Sequence, residues 1–114
     1  MRQILARLTV FTAVGVTSSS ALAAPAPPCA VDAAKQALKL LRFHTDGDDR
    51  ASIDPDTMRG IGTVGSLGGK RRFDVIEVEG SVYKGVYRIR LIYAPITGNC
   101  VLMGQEIFER ADPY

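Results

Sequence analysis

Reactive side chains are scarce in this chain. One histidine, His44, and two cysteines, Cys29 and Cys100, serve 114 residues. A Ser-His-Asp arrangement would have a single imidazole to use, and that imidazole falls at the end of an expected helix. Neither cysteine has a CxxC partner or a nearby histidine, which argues against a redox motif or a zinc site. His44 with Asp46 and Asp48 has the wrong density of ligands for zinc. The acidic pairs Glu77 with Glu79 and Asp48 with Asp49 carry no sign of burial or of a cleft. The reading is therefore of a protein that is not an enzyme, with no catalytic residue, no metal and no cofactor.

Other absences narrow the chain further. No apolar run approaches the roughly 20 residues that span a bilayer, so no transmembrane segment is expected. Gly60, Gly62 and Gly65 match G-x-G-x-x-G, but no buried strand precedes them and no helix pattern follows. Lys70 is followed by Arg71 rather than Ser or Thr, so there is no P-loop. No internal repeat is visible.

The amino terminus reads as an export signal. Arg2 and Arg7 precede a short apolar core at residues 8–16, and Ala21-Leu22-Ala23 supplies small residues for cleavage after Ala23. Pro27 and Pro28 stand where lipoprotein processing at Cys29 would need small residues, which favours an ordinary leader over a lipid anchor. The expected organisation is a cleaved signal peptide over 1–23, a proline-rich linker over 24–28 and one small α+β domain over 29–114. The localisation that follows is the periplasm of a Gram-negative bacterium, with secretion from the cell as the alternative. The full chain has 14 basic and 12 acidic residues, and losing Arg2 and Arg7 leaves 12 against 12. Net charge thus gives no hint of a partner. In an oxidising compartment the two cysteines are expected to form one disulfide, Cys29 to Cys100.

Residues 24–28 (A-P-A-P-P) are extended by their prolines. After them a helix is expected over Ala30–His44: Ala30, Val31, Ala33, Ala34, Ala37, Leu38, Leu40 and Leu41 occupy one half of the wheel, with Gly47 as the C-terminal cap. Its alanines suit close approach to a flat surface. Residues 46–56 read as an acidic loop with five aspartates; an EF-hand there would lack its glycine and terminal glutamate. Residues 57–69 read as a glycine-interrupted first strand that bends or bulges. Residues 73–79 form a second strand, 80–84 contain a hairpin turn, and 85–94 form the third strand. Residues 95–99 turn into a fourth strand over 100–110, whose parity is ambiguous: Val101, Met103 and Ile107 share one face while Leu102 and Phe108 share the other.

Residues 83–93 (Y-K-G-V-Y-R-I-R-L-I-Y) carry the clearest period of two. Tyr83, Tyr87, Ile89, Leu91 and Tyr93 fall on one face, expected to lie under Val31, Ala34, Leu38 and Leu41. Lys84, Arg88 and Arg90 fall on the other. The fold class is α+β: one N-terminal helix packed on a curved antiparallel sheet of about four strands, in helix-then-meander order. That order resembles the cystatin-like grip in the sequence of elements alone, and fold does not carry function.

Lys70, Arg71, Arg72, Lys84, Arg88 and Arg90 make up a candidate anion-binding face. The competing reading is cross-strand pairing with Asp74, Glu77, Glu79, Glu106 and Glu109, and equal numbers of acids and bases favour it. Nucleic acid is not expected as a partner, because the even positions of residues 83–93 carry no aromatic side chain for bases to stack on. The expected function is non-catalytic binding of another macromolecule, as an envelope accessory protein or enzyme inhibitor. The alternative is binding of an anionic small molecule, glycan or lipid. A fourth strand that is apolar on both faces leaves room for an oligomer.

Overall fold

The computed structural model describes residues 9–15 and 26–111. The expected cleavage site after Ala23, most of the leader and the first two linker residues lie outside them. Described elements run in the order α1 (Ala30–His44), β1 (Ser52–Gly65), β2 (Arg72–Val82), β3 (Gly85–Tyr93) and β4 (Leu102–Ala111). The four strands form one antiparallel sheet in the order β1-β2-β3-β4. This is the expected α+β arrangement, helix first and meander after.

The helix occupies the span its periodicity predicts. Ala33, Ala37 and Leu41 are fully buried, at the i, i+4, i+8 spacing of a single helix face. Val31, expected over the sheet, is 73% exposed. It lies about 120° around the helix from Ala37 at 100° per residue, which is the rim of the apolar half and not its centre. The C-terminus closes one residue earlier than the glycine suggests: the Thr45 N–H bonds to the Leu41 carbonyl, Asp46 takes the left-handed conformation, and the Gly47 N–H donates to the Arg42 carbonyl. This is the Schellman closure, with aspartate in the position that glycine usually fills.

The helix residues join Ile76, Val78 and Val82 of β2 and Ile89, Leu91 and Tyr93 of β3 in one buried cluster. Directly opposed residues of an antiparallel pair share a face. Val78 opposes Ile89 and Ile76 opposes Leu91, so even positions of β2 and odd positions of β3 face the helix. Gly80 explains how close the helix comes. A Cβ there would stand 2.9 Å from Leu41 Cδ2, 3.0 Å from Ile53 Cδ1 and 3.2 Å from the Ser52 carbonyl oxygen. Gly80 is therefore part of β2, which runs three residues past its expected end at Glu79, and the hairpin turn expected within 80–84 falls at Tyr83-Lys84, where Tyr83 takes φ 55.

The start of the first strand and the register of the last also differ from expectation. β1 begins at Ser52, so Asp54-Pro55-Asp56 lie in a strand and not in the acidic loop. Residue-by-residue pairing with β2 breaks between Asp54 and Arg59 and again between Gly60 and Gly62, which absorbs the proline and the glycines as irregularities. β4 owes its ambiguous parity to a bulge. Leu102 opposes Tyr93, Gly104 opposes Ile92, and Met103 is the extra residue between them. Leu102 and Ile107, five apart, thereby reach the same helix-facing side, and both pack against the core.

The disulfide joins Cys29, just before the helix, to Cys100, just before β4, with Cα atoms 5.7 Å apart. Tyr93 makes a second tie at this end: its hydroxyl donates to Asp32 Oδ2 at 2.7 Å. Burial raises the Tyr93 pKa well above the usual phenol value, and the hydrogen bond to the Asp32 carboxylate and its charge push the same way.

Candidate functional site

The sheet face opposite the helix is organised around a buried acid. Glu77, in the middle of β2, is 5% exposed although no described element lies over that face. It is held from both sides. Arg59 of β1 donates to Oε1 at 2.9 Å, and Arg90 of β3 donates through Nε to Oε2 at 2.9 Å. Arg88 Nε stands 3.5 Å from Oε1, an ion pair without a hydrogen bond, and that nitrogen is buried. Burial alone would raise the Glu77 pKa, but the hydrogen bonds from Arg59 and Arg90 and the charge of Arg88 outweigh it and hold the carboxyl below its usual range. Beside it, Glu79 pairs with Arg110 of β4 and its N–H donates to Thr57 Oγ1.

The six residues of the expected basic face are not brought together. Arg88 and Arg90 lie on the sheet and both turn to Glu77. Lys84 sits in the β2–β3 turn with its Nζ 5.5 Å from the centre of the Tyr83 ring, and Arg50 stacks on that ring at 5.0 Å. Arg72 lies at the opposite end of β2 and donates to Thr63 Oγ1 at 2.7 Å. Lys70 and Arg71 are exposed in the β1–β2 turn. Charge neutrality had favoured cross-strand pairing, and that is how Arg88 and Arg90 are used.

Arg59 and Arg110 belong to this network and were not singled out from sequence. Arg59 sat in the glycine-rich stretch, and only the slipped register of β1 places it opposite Glu77. The other side chains of this face are mixed: Val75 is buried, Phe108, Met103 and Val64 are exposed, and exposed Glu106 and Asp54 stand opposite Arg90 and Glu79. Arg90 lies over the Phe108 ring with its guanidinium carbon 5.5 Å from the ring centre.

The tyrosines separate by position. Tyr93 is buried, Tyr87 is half-buried with His44 edge-on to its ring, and Tyr83 is 61% exposed at the hairpin tip. His44 is thus a ring contact at the end of the helix. Among the described residues no group of three or more His, Cys, Asp or Glu is placed to hold a metal. The five aspartates of 46–56 are divided between the loop and β1, and Asp48 is committed to Arg50 by hydrogen bonds from the backbone N–H, Nε and Nη2. Those hydrogen bonds lower its pKa to about 2. GxGxxG lies within β1, at a sheet edge and not before a helix. No described helix is long and apolar enough to cross a membrane.

A cleft of about 730 Å³ opens at the disulfide end between Pro27-Pro28-Cys29, Gly60, Gly62, Ile76 and the 94–100 loop, with Asp74 as its one charged side chain. No family model, curated protein or solved structure matches this chain, so its likeness to the cystatin-like grip rests on the order of elements alone.

Proposed function

We propose that this chain is an exported, non-catalytic protein that binds another macromolecule through the sheet face opposite its helix. One observation carries the reading. That face combines a fixed charged centre, Glu77 among Arg59, Arg88 and Arg90, with exposed Phe108 and Met103 beside it. Exposed aromatic and Met side chains around ordered arginines are the composition of a protein-recognition patch. The irregularities in β1 bend its strand and favour a sheet curved around the helix. The disulfide and the leader-like amino terminus suit the periplasm, with the extracellular space as the alternative.

The test is capture from a periplasmic extract by wild type and by Phe108→Asp, in low and high salt. A stoichiometric protein that survives salt with wild type and is lost with the variant, at unchanged melting temperature, supports the reading; equal capture by both sinks it.

A second reading has its own observation. Three guanidiniums face one carboxylate, and Arg88 Nε has no hydrogen-bond acceptor. The spare guanidinium donors around Glu77 suit an anionic small molecule, glycan or lipid headgroup on the same face. Salt-reversible retention on heparin, lost with Arg59→Ala, supports it, whereas flow-through at low salt removes it.

A further inference from the structure

We infer that this protein pairs with a second copy of itself through the outer edge of β4, antiparallel about a two-fold axis at Ile107. The sheet has two edges, β1 and β4. The β1 edge is blunted: Pro55 has no N–H to offer, and the register breaks twice. The β4 edge is regular from Gly104 to Glu109, between the extra residues Met103 and Arg110. Along this run every second residue turns its N–H and C=O away from β3, and no described strand accepts them. Met103 and Phe108 are exposed on the same strand, and exposed Val101 directly precedes it.

Geometry restricts the pairing. Outward-facing residues must meet outward-facing residues, and all of them have the same parity, so a two-fold axis must pass through a residue and not between two. Axes at Glu106 and at Ile107 pair five residues within the regular run; axes at Gln105 or Phe108 pair three. An axis at Glu106 sets that carboxylate opposite its own copy. At Ile107 the charges fit. Ile107 meets itself on the helix side, Gln105 meets Glu109 of the second copy, and Glu106 meets Phe108 of the second copy. Phe108 there lies beside Arg88 and beneath Arg90, so the carboxylate of Glu106 enters a cationic surrounding twice over. About four to six backbone hydrogen bonds would form. The product is a continuous eight-stranded sheet with both helices on one side. This leaves the opposite face uncovered and does not depend on the binding reading above.

Sedimentation equilibrium of the full chain over a concentration series tests the inference. Wild type should follow one reversible monomer–dimer equilibrium. Gln105 is exposed, so at concentrations where the protein is monomeric its variants should keep the wild-type melting temperature. Gln105→Glu sets two like-charge pairs against Glu109 and should raise the dissociation constant roughly two- to thirtyfold. Gln105→Lys should lower it by a similar factor, because each lysine meets a glutamate. In Ile107→Cys the new thiols oppose each other on the axis and should cross-link across the dimer on oxidation. A monomer at concentrations up to about 1 mM overturns the inference. Equal or inverted effects of the two Gln105 variants do so as well, as does a dimer whose Ile107→Cys form fails to cross-link.

Discussion

Replacing Glu77 with glutamine tests the charged centre of the sheet at nearly constant shape. The amide keeps an acceptor but removes the negative charge that three guanidiniums share. Removing one partner of a fully buried ion pair costs about 3–5 kcal/mol, whereas an exposed pair is worth about 0–1 kcal/mol. Glu77 belongs near the first limit, with a side chain 6% exposed. Its partners do not, because Arg88 and Arg90 keep about a third of their surface in water and Arg59 about two thirds. Solvent screening of the arginines therefore brings the expected loss to about 2 kcal/mol. In a domain of this size that lowers the melting temperature by about 8–16 °C.

The pH dependence supplies an independent check. The folded pKa of Glu77 lies below its unfolded value, so the stability it contributes is complete above the unfolded value of about 4.3 and is lost as pH falls through the folded one. Wild type and Glu77→Gln should differ most near neutral pH and converge in acid. Melting by circular dichroism from neutral pH down to about pH 2 reads both effects, the acid limb lying below the ordinary carboxylate range. A neutral-pH loss under about 2 °C, or a difference that persists undiminished in acid, would refute the argument that Glu77 is a net stabilising charge.

Three further outcomes follow from the packing. Gly80→Ala should cost about 1–3 kcal/mol in urea unfolding, because its Cβ would press on Leu41 and Ile53; a neutral result would mean that the helix can shift along the sheet. Replacing both Cys29 and Cys100 by serine opens a crosslink spanning 71 residues of sequence and should lose about 3–5 kcal/mol in the same assay, with the helix and sheet signals retained if the core suffices. Tyr93→Phe removes a raised phenol pKa: wild type should lose stability as pH rises above the unfolded value of about 10 toward the higher folded one, and the variant should lack that component of the alkaline limb. An identical alkaline profile in both proteins would show that Tyr93 titrates alike folded and unfolded.

Periodicity exposed the helix and β3 because each has one dry side. Ala33, Ala37 and Leu41 repeat every four residues, and Ile89, Leu91 and Tyr93 every two, so burial is written directly in the residue types. The disulfide was legible by counting, with two cysteines and one way to pair them. Register was not legible. Met103 shifts β4 by one position, and the breaks in β1 shift Arg59 onto Glu77; neither a bulge nor a slip changes the composition of a strand. Gly80 misled for a related reason. Glycine serves both turns and close approaches, and only the position of Leu41 decides between them. For the charged centre, the sequence offers equal numbers of acids and bases but no indication that one acid takes three arginines.

That sharing has a consequence for the sheet itself. An antiparallel sheet can leave one face in water, but Val75 and Glu77 are both buried on the face that no described helix covers. Glu77 is sealed by long side chains from its neighbours: Arg59 reaches it from β1, and Arg88 and Arg90 from β3. One carboxylate therefore clasps three adjacent strands side by side, and Glu79 with Arg110 extends the clasp across β3 to β4. Such ties need a sheet of fixed register, because a slip of one residue would send Glu77 to the helix side and leave three guanidiniums without an acceptor. The uncovered face thus helps to specify the strand order that the apolar face stabilises.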